Sequence, residues 1–288
     1  MRQWLCMGIL ILLSACQREP APTPEQFRFP VGVYIQSTRN DFWEAFESGL
    51  KSRLDPSIVP EIVYFTPNQR DAIAQQMAQM DKWRALALCA PQDTWSLNAI
   101  EQAVRAGIPL VLVGVDLPRS LRLGTVSTYY YDVGRKAGAW YAKRLASGRV
   151  AVVAGHPVPH AVSEFWDGFR HGLMNNRRLQ AELIAVDHSA KAAEAVVRLR
   201  DNPKISGIFL MGAEVAQQAI HQAPKTHLGI FTWRDSAQAW YHEGRCQLLL
   251  IENPREIGIR TANLLRNLSL GRGQDFEIVF VPYERLAR

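Results

Sequence analysis

The sequence predicts an α/β fold of parallel sheets arranged as two similar lobes, and two observations support this. Short apolar runs rich in β-branched residues alternate along the chain with amphipathic stretches at helical spacing. The alternation forms two successive series of four or five strand–helix units, and such units build parallel sheets through right-handed crossovers. A single (β/α)₈ barrel is the main competitor. It is disfavoured because segment 124–127 follows the preceding turn so closely.

The first unit sets the pattern for the others. The run 31–35 has the length and the β-branched content of one buried strand. Apolar residues at helical spacing from Phe42 onward predict a helix, with Asp41 as its N-cap and Glu44 completing a capping box. Because ligands of open α/β sheets bind at the carboxyl ends of strands, we expect the loop 39–43 at the mouth of a cleft.

The other elements follow by the same reasoning. In the first series we expect strands at 61–65, 84–89, 110–115 and 124–127, with helices at 68–83, 95–106 and 131–145. The second series predicts strands at 149–154, 182–186, 205–211, 228–231 and 247–251, with helices at 163–175, 190–200, 214–221, 236–243 and 254–267. Gly271 and Gly273 then break the chain before a last strand at 276–281.

The composition allows one large core or two moderate ones and argues against nucleic-acid binding. Of the 288 residues, 48% are hydrophobic and 21% are charged, which is ample for a buried core. The formal net charge is +6, but the basic residues are spread along the chain without a stripe or a helix-turn-helix signature. A surface that happens to be basic explains this charge.

The N-terminus predicts a secreted, lipid-anchored protein. Residues 1–15 combine a short basic start with an apolar run that is too short to span a bilayer, as in a signal peptide. The sequence Leu13-Ser14-Ala15-Cys16 resembles a bacterial lipobox, which implies cleavage before Cys16 and lipidation of its thiol. A secretory signal with a coincidental cysteine is the alternative. Residues 16–29 are proline-rich and indicate an extended tether. Gln17 after the cysteine favours the outer membrane in a cell that has one.

Other chemistry-bearing residues form no catalytic or metal-binding set. Cys89 and Cys246 end different apolar runs, so we expect two buried thiols rather than a disulfide, although an oxidising compartment would allow one. His156 and His160 lie in a proline-containing loop, which we interpret as two exposed histidines without a third metal ligand. There is no G-x-S-x-G elbow, P-loop or G-x-G-x-x-G motif. We therefore expect no enzyme, no metal and no cofactor.

Five short stretches, taken in their order and spacing, resemble the type 1 periplasmic binding proteins. This is the ribose- and galactose-binding kind that feeds ABC transporters. The stretches are Val31–Trp43, Ala106–Val111, Ser127–Leu145, Asp167–Phe169, and Gly244-Arg245 through Asn253–Gly258. The resemblance runs from Phe29 to the C-terminus.

The resemblance implies two Rossmann-like lobes that close on a ligand by hinge motion about three crossings. The crossings are expected near Ser127, near Glu252 and after Gly271. The N-terminal lobe would then comprise 30–127 plus 253–272, and the C-terminal lobe 128–252 plus 273–288.

The resemblance also assigns candidate ligand-binding residues. Asn40 matches an asparagine that binds ligand hydroxyls, and Phe42 and Trp43 match an aromatic pair that sandwiches a sugar ring, although packing of the helix is the alternative for both rings. Asp116 lies in a loop that often carries a ligand-binding acid, commonly at the position of Gly114 here. The second lobe departs from the family pattern, and its candidates are Ser163, Trp233, Arg234 and Glu252.

These departures place a typical sugar ligand in doubt and leave two alternatives open. Trp43 and Trp233, with Tyr129 or Trp166, would form an aromatic box that suits an organic cation, with negative charge from Glu252 and Asp116. Arg39 and Arg234 would instead grip an anion.

Two functions follow from the resemblance. One is a monomeric, lipid-anchored solute-binding protein that delivers a small polar ligand to an ABC permease. The other is a sensory protein of the same fold that reports its ligand state to a membrane histidine kinase.

Overall fold

The computed structural model describes residues 28–158, 160–186, 190–223, 227–234, 236–272 and 276–288. The predicted signal peptide, Cys16 and all but the last two residues of the predicted tether lie outside this part of the chain, as do Pro159 and Gly273. Within it, strands and helices alternate as the sequence predicts.

The first lobe is built on a six-stranded sheet whose strands are all parallel. Its strand order is β11-β5-β4-β3-β1-β2. The strands are β1 (Phe29–Ile35), β2 (Ile58–Tyr64), β3 (Ala85–Cys89), β4 (Leu110–Val113), β5 (Gly124–Thr128) and β11 (Glu277–Val281). The helices of this lobe are α1 (Asp41–Arg53), α2 (Arg70–Met77), α3 (Thr94–Arg105) and α9 (Pro254–Ser269), and a 3₁₀ helix, Pro67–Gln69, precedes α2.

The second lobe repeats this design with the order β12-β10-β9-β8-β6-β7. Its strands are β6 (Gly148–Ala154), β7 (Leu179–Ala185), β8 (Ile205–Met211), β9 (Leu228–Thr232), β10 (Leu248–Ile251) and β12 (Glu284–Ala287), and only β12 is antiparallel to its neighbour. Its helices are α4 (Tyr130–Arg144), α5 (Ala161–Leu173), α6 (Ala190–Arg200), α7 (Ala213–Ala219) and α8 (Ala237–His242). Two open sheets exclude the barrel alternative.

The C-terminal segment differs from the expected lobe division. The strand β11 adds to the first sheet beside β5, and only β12 joins the second sheet. The expectation that all of 273–288 belongs to the C-terminal lobe is therefore wrong for β11. The third crossing falls at Pro282-Tyr283, between these two strands, which is after Gly271 but later than the expected lobe boundary between residues 272 and 273.

Two local predictions also need correction. The N-cap of α1 is Asn40, whose side-chain Oδ1 accepts a hydrogen bond from the Trp43 backbone N–H, so Asp41 is the first helical residue rather than the cap. The predicted helix 68–83 ends at Met77, and Met80 is 65% exposed. The backbone turns before Trp83, which returns to the core beneath β3.

Close helix contacts position the elements that meet at the cleft. The helices α1 and α9 pack at Gly49 and Gly258, where an added Cβ would strike the carbonyl oxygens of Arg255 and Phe46. The helices α4 and α5 meet in the same way at other glycines. Because no side chain separates the backbones there, the two helices of each pair lie in direct backbone contact.

The apolar core continues from one lobe into the other. One cluster of buried residues contains Val33 of β1, Val152 of β6, Phe42 at the start of α1 and Trp233 from the loop after β9. Two further clusters cover the other faces of the two sheets. The surface between the lobes is thus packed as interior rather than left as an open cleft.

Candidate binding cleft between the lobes

The cleft lies where the carboxyl ends of both sheets face each other. The first lobe contributes the start of α1 and the loops after β3 and β4. The second lobe contributes the loops after β6 and β9, and residue 252 lies in the crossing between β10 and α9. This is the edge at which open α/β sheets bind ligands.

Phe42 and Trp43 are buried at this edge, with 1% and 0% exposure. Their rings pack edge to face at 4.9 Å between centroids, and Trp43 makes a similar contact with Phe46. Trp43 therefore packs into the first lobe, whereas Phe42 also contacts Trp233 of the second lobe at 5.2 Å. The two aromatic residues do not enclose an open slot in this closed state.

His156 fills the space between these aromatic walls. Its side chain is fully buried, and its ring centroid lies 5.3–5.9 Å from those of four rings. They are Phe42, Tyr130, Phe231 and Trp233. The expectation of two exposed histidines in this loop is wrong for His156, because closure of the lobes encloses the first half of the loop.

Glu252 lies at the Nε2 edge of the His156 ring and fixes its orientation. One carboxylate oxygen accepts from the Tyr130 hydroxyl at 2.7 Å, and the other lies 2.9 Å from His156 Nε2. The backbone N–H of Val158 donates to His156 Nδ1 at 3.1 Å, so the donating proton of the ring resides on Nε2. Burial and then the nearby Glu252 raise the pKa of Tyr130 well above its usual range. The Tyr130 hydroxyl is therefore a permanent donor.

Val158, two residues after His156, packs against the first lobe. It is 2% exposed, and a Cβ placed on Gly114 would lie 2.5 Å from its Cγ1. Gly114 has φ +89° and follows β4, at the position where the resemblance expects a ligand-binding acid. The missing side chain at Gly114 makes room for the valine of the opposite lobe.

The predicted acid Asp116 belongs to a local network of the first lobe. Its carboxylate accepts from Arg122 at 2.5 and 2.7 Å and from Thr125 at 2.6 Å. Arg122 is 8% exposed and stacks on Phe276. Asp116 is thus occupied by an arginine from its own lobe, although its backbone oxygen faces Gln92 at the rim of the cleft.

The two arginines considered as anion ligands are both neutralised. Arg234 forms an interlobe ion pair with Asp41 at 2.7 Å and also donates to Gln217. Arg39 lies 3.5 Å from Glu47 and 3.6 Å from Glu44. An anion would have to displace these carboxylates.

The remaining rim contact involves Glu164 on α5. Gln92 of the first lobe reaches Glu164 at 3.4 Å. Burial and then the charge of Asp116 raise the pKa of Glu164 to about 7. Ser163, the neighbouring candidate, is exposed and its hydroxyl donates to the backbone oxygen of His160, so the closed structure does not bring Ser163 into the cleft.

Four polar atoms buried near the cleft have no hydrogen-bond partner within the described chain. They are Trp43 Nε1, Trp233 Nε1, Thr128 Oγ1 and Asp41 Oδ1. Buried donors and acceptors are normally paired, so these atoms are candidate contacts for a ligand once the lobes open.

The structure thus adds four residues to the predicted site: Tyr130, His156, Val158 and Phe231. For His156 and Val158 the available sequence signal is the His-Pro-Val-Pro-His loop at a strand end. Tyr129 and Trp166, considered for the aromatic box, lie elsewhere: Tyr129 stacks on Phe280, and Trp166 packs on Phe169 of its own helix.

Among the described residues, no group of three His, Cys, Asp or Glu side chains is placed to hold a metal ion. In the same residues, no helix has the length and apolarity that crossing a membrane requires. Cys89 and Cys246 are free and buried, as predicted, and burial raises the pKa of both thiols. The thiols are therefore structural.

Two parallel-sheet lobes joined by three crossings, with strand ends facing one cleft, define a two-lobed binding protein. Comparison with known families makes this specific: a profile of the periplasmic binding protein domain matches residues 31–273. The chain belongs to this family and has its type 1 fold. No curated protein sequence matches the chain significantly.

Solved structures share the whole two-lobed fold. The XylFII–LytSN complex matches with a TM-score of 0.76 and 18% identity, over 90% of this chain and 98% of that one. A solute-binding protein from Agrobacterium radiobacter in complex with D-arabinose matches with a TM-score of 0.77 and 14% identity, over 91% and 95%. A carbohydrate transporter protein from Acidothermus cellulolyticus 11B with myo-inositol gives 0.77 and 18%, over 90% and 94%. At these identities the similarity concerns the fold.

Proposed function

We propose that this protein captures a small polar ligand between its lobes and passes that ligand, or the signal of its binding, to a membrane partner. Membership of the family implies a location outside the cytoplasm, and the lipobox at Cys16 supports attachment to the periplasmic face of a membrane, the outer one in a cell that has two. The observation that carries the proposal is a carboxylate, Glu252, set inside an aromatic box to which both lobes contribute.

The chemistry of this box favours a nitrogen-containing ligand over a sugar. The position between the lobes is occupied by an imidazole ring that donates N–H to Glu252 and is bordered by the faces and edges of four aromatic rings. A small organic cation or a planar N–H donor would satisfy the same groups, and each cation–π contact contributes about 0.5–2 kcal/mol.

A ligand has to compete with the protein's own side chains. His156 and Val158 occupy the cleft when the lobes are closed, so the ligand enters the open state and displaces His156 from Glu252. The observed affinity is then reduced by the fraction of molecules that are open. Asn40, Trp43, Asp116, Ser163 and Arg234 remain candidate contacts of that open state.

Delivery to an ABC permease is the first candidate for the partner, because the family profile and the sugar-transport neighbours are of this kind. A sensor kinase is the second candidate. The specific observation in its favour is that the closed state is held by internal contacts, so closure does not require a transported solute. A neighbour of the same fold was solved in a complex with LytSN.

A thermal-shift screen of the chain from Gln17 onward tests the binding proposal. The panel contains quaternary amines, imidazoles, amino acids, polyols, sugars and small anions. A ligand at a hundred times its dissociation constant adds about 2.7 kcal/mol, which raises Tm by roughly 2–4 °C per kcal/mol. We expect nitrogen compounds to give this shift and sugars to give none.

Two variants make the screen specific. Trp233→Ala should weaken binding at least about tenfold, because one cation–π wall is lost. Trp166→Ala is the matched control, a tryptophan of the same lobe outside the box, and should leave affinity unchanged. A ligand that binds both variants equally well would contradict the proposed site. So would a panel that gives no shift with the wild type and none with Gly114→Ala, in which a clash with Val158 is expected to open the lobes.

Binding of the two candidate partners separates import from signalling. The soluble chain is mixed with the permease in nanodiscs and with the extracytoplasmic domain of the kinase, both taken from neighbouring genes, with and without ligand. Ligand-dependent binding to the permease supports import, and ligand-dependent binding to the kinase domain supports signalling.

A further inference from the structure

A basic groove lies on the first lobe at the pole opposite the cleft. It runs between the C-terminal halves of α1 and α9 and has a volume of about 570 Å³. Polar and charged side chains line most of it: Ser52, Arg53, Asp55, Glu256, Arg260, Asn263 and Arg266. Neither the cleft nor the hinge uses this groove.

Two guanidinium groups in the groove are available to an external anion. Arg260 is paired with Glu256 at 2.7 Å. Arg53 and Arg266 are exposed, and no carboxylate of the described chain forms a salt bridge with either. Asp55, which also lines the groove, accepts from Ser57 at 2.7 and 2.9 Å, and these bonds, followed by the charge of Arg266, lower its pKa. Arg53 and Arg266 lie on facing helices and fit a phosphate group, which guanidinium groups can bind bidentately.

The position of the groove identifies where that phosphate comes from. The backbone N–H of Phe29 donates to Ser57 at 2.7 Å, so the chain that leads from Cys16 joins the lobe at the Asp55–Ser57 turn beside the groove. The twelve residues Gln17–Arg28 span at most about 40 Å when extended. A lipid on Cys16 would therefore keep this pole within about 40 Å of the bilayer surface.

We infer that the Arg53–Arg266 groove binds phosphate groups of anionic lipids and seats the first lobe on the membrane beside its tether. The first lobe is then held, and the second lobe, which carries His156 and Trp233, is the one that moves when the cleft opens. This inference rests on the proposed lipid anchor, which places the groove near the membrane. Binding of anionic lipid by the groove can be tested without the anchor.

The test is vesicle binding by the chain from residue 16 onward with Cys16→Ser, which has no thiol to lipidate. Cosedimentation is measured with phosphatidylethanolamine vesicles with and without phosphatidylglycerol. We expect binding only to the anionic vesicles, weakened about fivefold for each of Arg53→Gln and Arg266→Gln, and abolished by high salt. Melting temperatures of the variants verify that they fold.

The matched controls are the single variants Arg177→Gln and Arg178→Gln, each of which removes the same one charge from an exposed residue at the base of the other lobe. Equal loss of binding in these controls would show attraction by net charge and overturn the inference. So would binding of inorganic phosphate or glycerol phosphate to the groove without any preference for anionic vesicles, because this indicates a free-anion site. Loss of the lipid anchor or of the cleft ligand would leave these vesicle results unchanged, so the two proposals fail separately.

Discussion

Val158 of the second lobe lies against Gly114 of the first, and the contact leaves no space for a side chain at residue 114. A ligand-binding acid at this position would point into the cleft. The glycine instead admits an apolar side chain from the facing loop, and the lobes close on each other without a ligand between them.

Gly114→Ala is expected to open the lobes. An alanine at φ +89° is strained by about 1–2 kcal/mol, and the clash with Val158 adds about 1–3 kcal/mol to the closed state alone. Small-angle scattering should show a larger radius of gyration together with a lower Tm. Gly107→Ala is the control, because it has φ +81° but nothing within 4 Å. An unchanged radius in the Gly114 variant would mean that Val158 does not hold the lobes together.

His156→Ala should destabilise the protein and create a binding site for imidazole. The change leaves one oxygen of the buried Glu252 without its donor and opens a cavity among the aromatic rings. Together these effects amount to about 2–4 kcal/mol. Added imidazole should recover part of the lost Tm in this variant. His171→Ala, at an exposed histidine that contacts Tyr131, should show neither effect. Full stability of the His156 variant would exclude His156 as the occupant of the cleft.

The fold was largely predictable because its signals are local. Strands such as β3 and β8 are continuous apolar runs in the sequence, and both are buried where the pattern predicts. Prediction failed where the local signal is weak or misleading. The strand β12 is short, polar and mostly exposed, and the apolar spacing that predicted helix 68–83 included Met80, which lies beyond the helix end.

The interior of the site was less predictable, because it depends on contacts between distant parts of the chain. His156 and Glu252 are 96 residues apart, and no spacing rule connects them. The strand-end loops lie together between the lobes, as the sequence predicts, since parallel sheets place their carboxyl ends at the same edge. Which side chains fill the cleft depends on lobe closure, and a proline-containing loop with two histidines carries no sequence signal for burial.

The ion pair between Asp41 and Arg234 should favour closure only modestly. The two side chains are 41% and 33% exposed, so solvent and salt screen the pair, and exposed pairs contribute about 0.2–1 kcal/mol. A double-mutant cycle with Asp41→Asn and Arg234→Gln, measured by denaturant unfolding, should give a coupling in this range that shrinks in high salt. The same cycle at Asp167 and Arg170 is the control, because this ion pair lies within one helix and does not join the lobes. With fluorescent labels on the two lobes, the control variants should leave the distance between the labels unchanged. A coupling of several kcal/mol at Asp41–Arg234 would show that this pair, rather than the buried aromatic cluster, controls closure.

Closure is expected to weaken as pH rises, because of Glu164. In the closed state burial and the charge of Asp116 raise its pKa from 4.5 to about 7, whereas opening exposes the carboxyl and returns the pKa toward its usual value. The closed state therefore binds the proton more tightly. The free energy that protonation of Glu164 contributes to closure is fully present below the open-state pKa. It is lost progressively as pH rises toward 7, and the balance between the two states does not change further above that pH.

Fluorescence transfer between labels on the two lobes, measured from pH 4 to pH 9, reports this dependence. The wild type should shift toward the open distance between about pH 4.5 and 7. Glu164→Gln, which has no charge to bury and still accepts from Gln92, should stay closed throughout that interval. A wild-type profile that matches the Gln variant would show that Glu164 is solvated in both states. An identical shift in both proteins would assign the pH dependence to another group at the interface between the lobes.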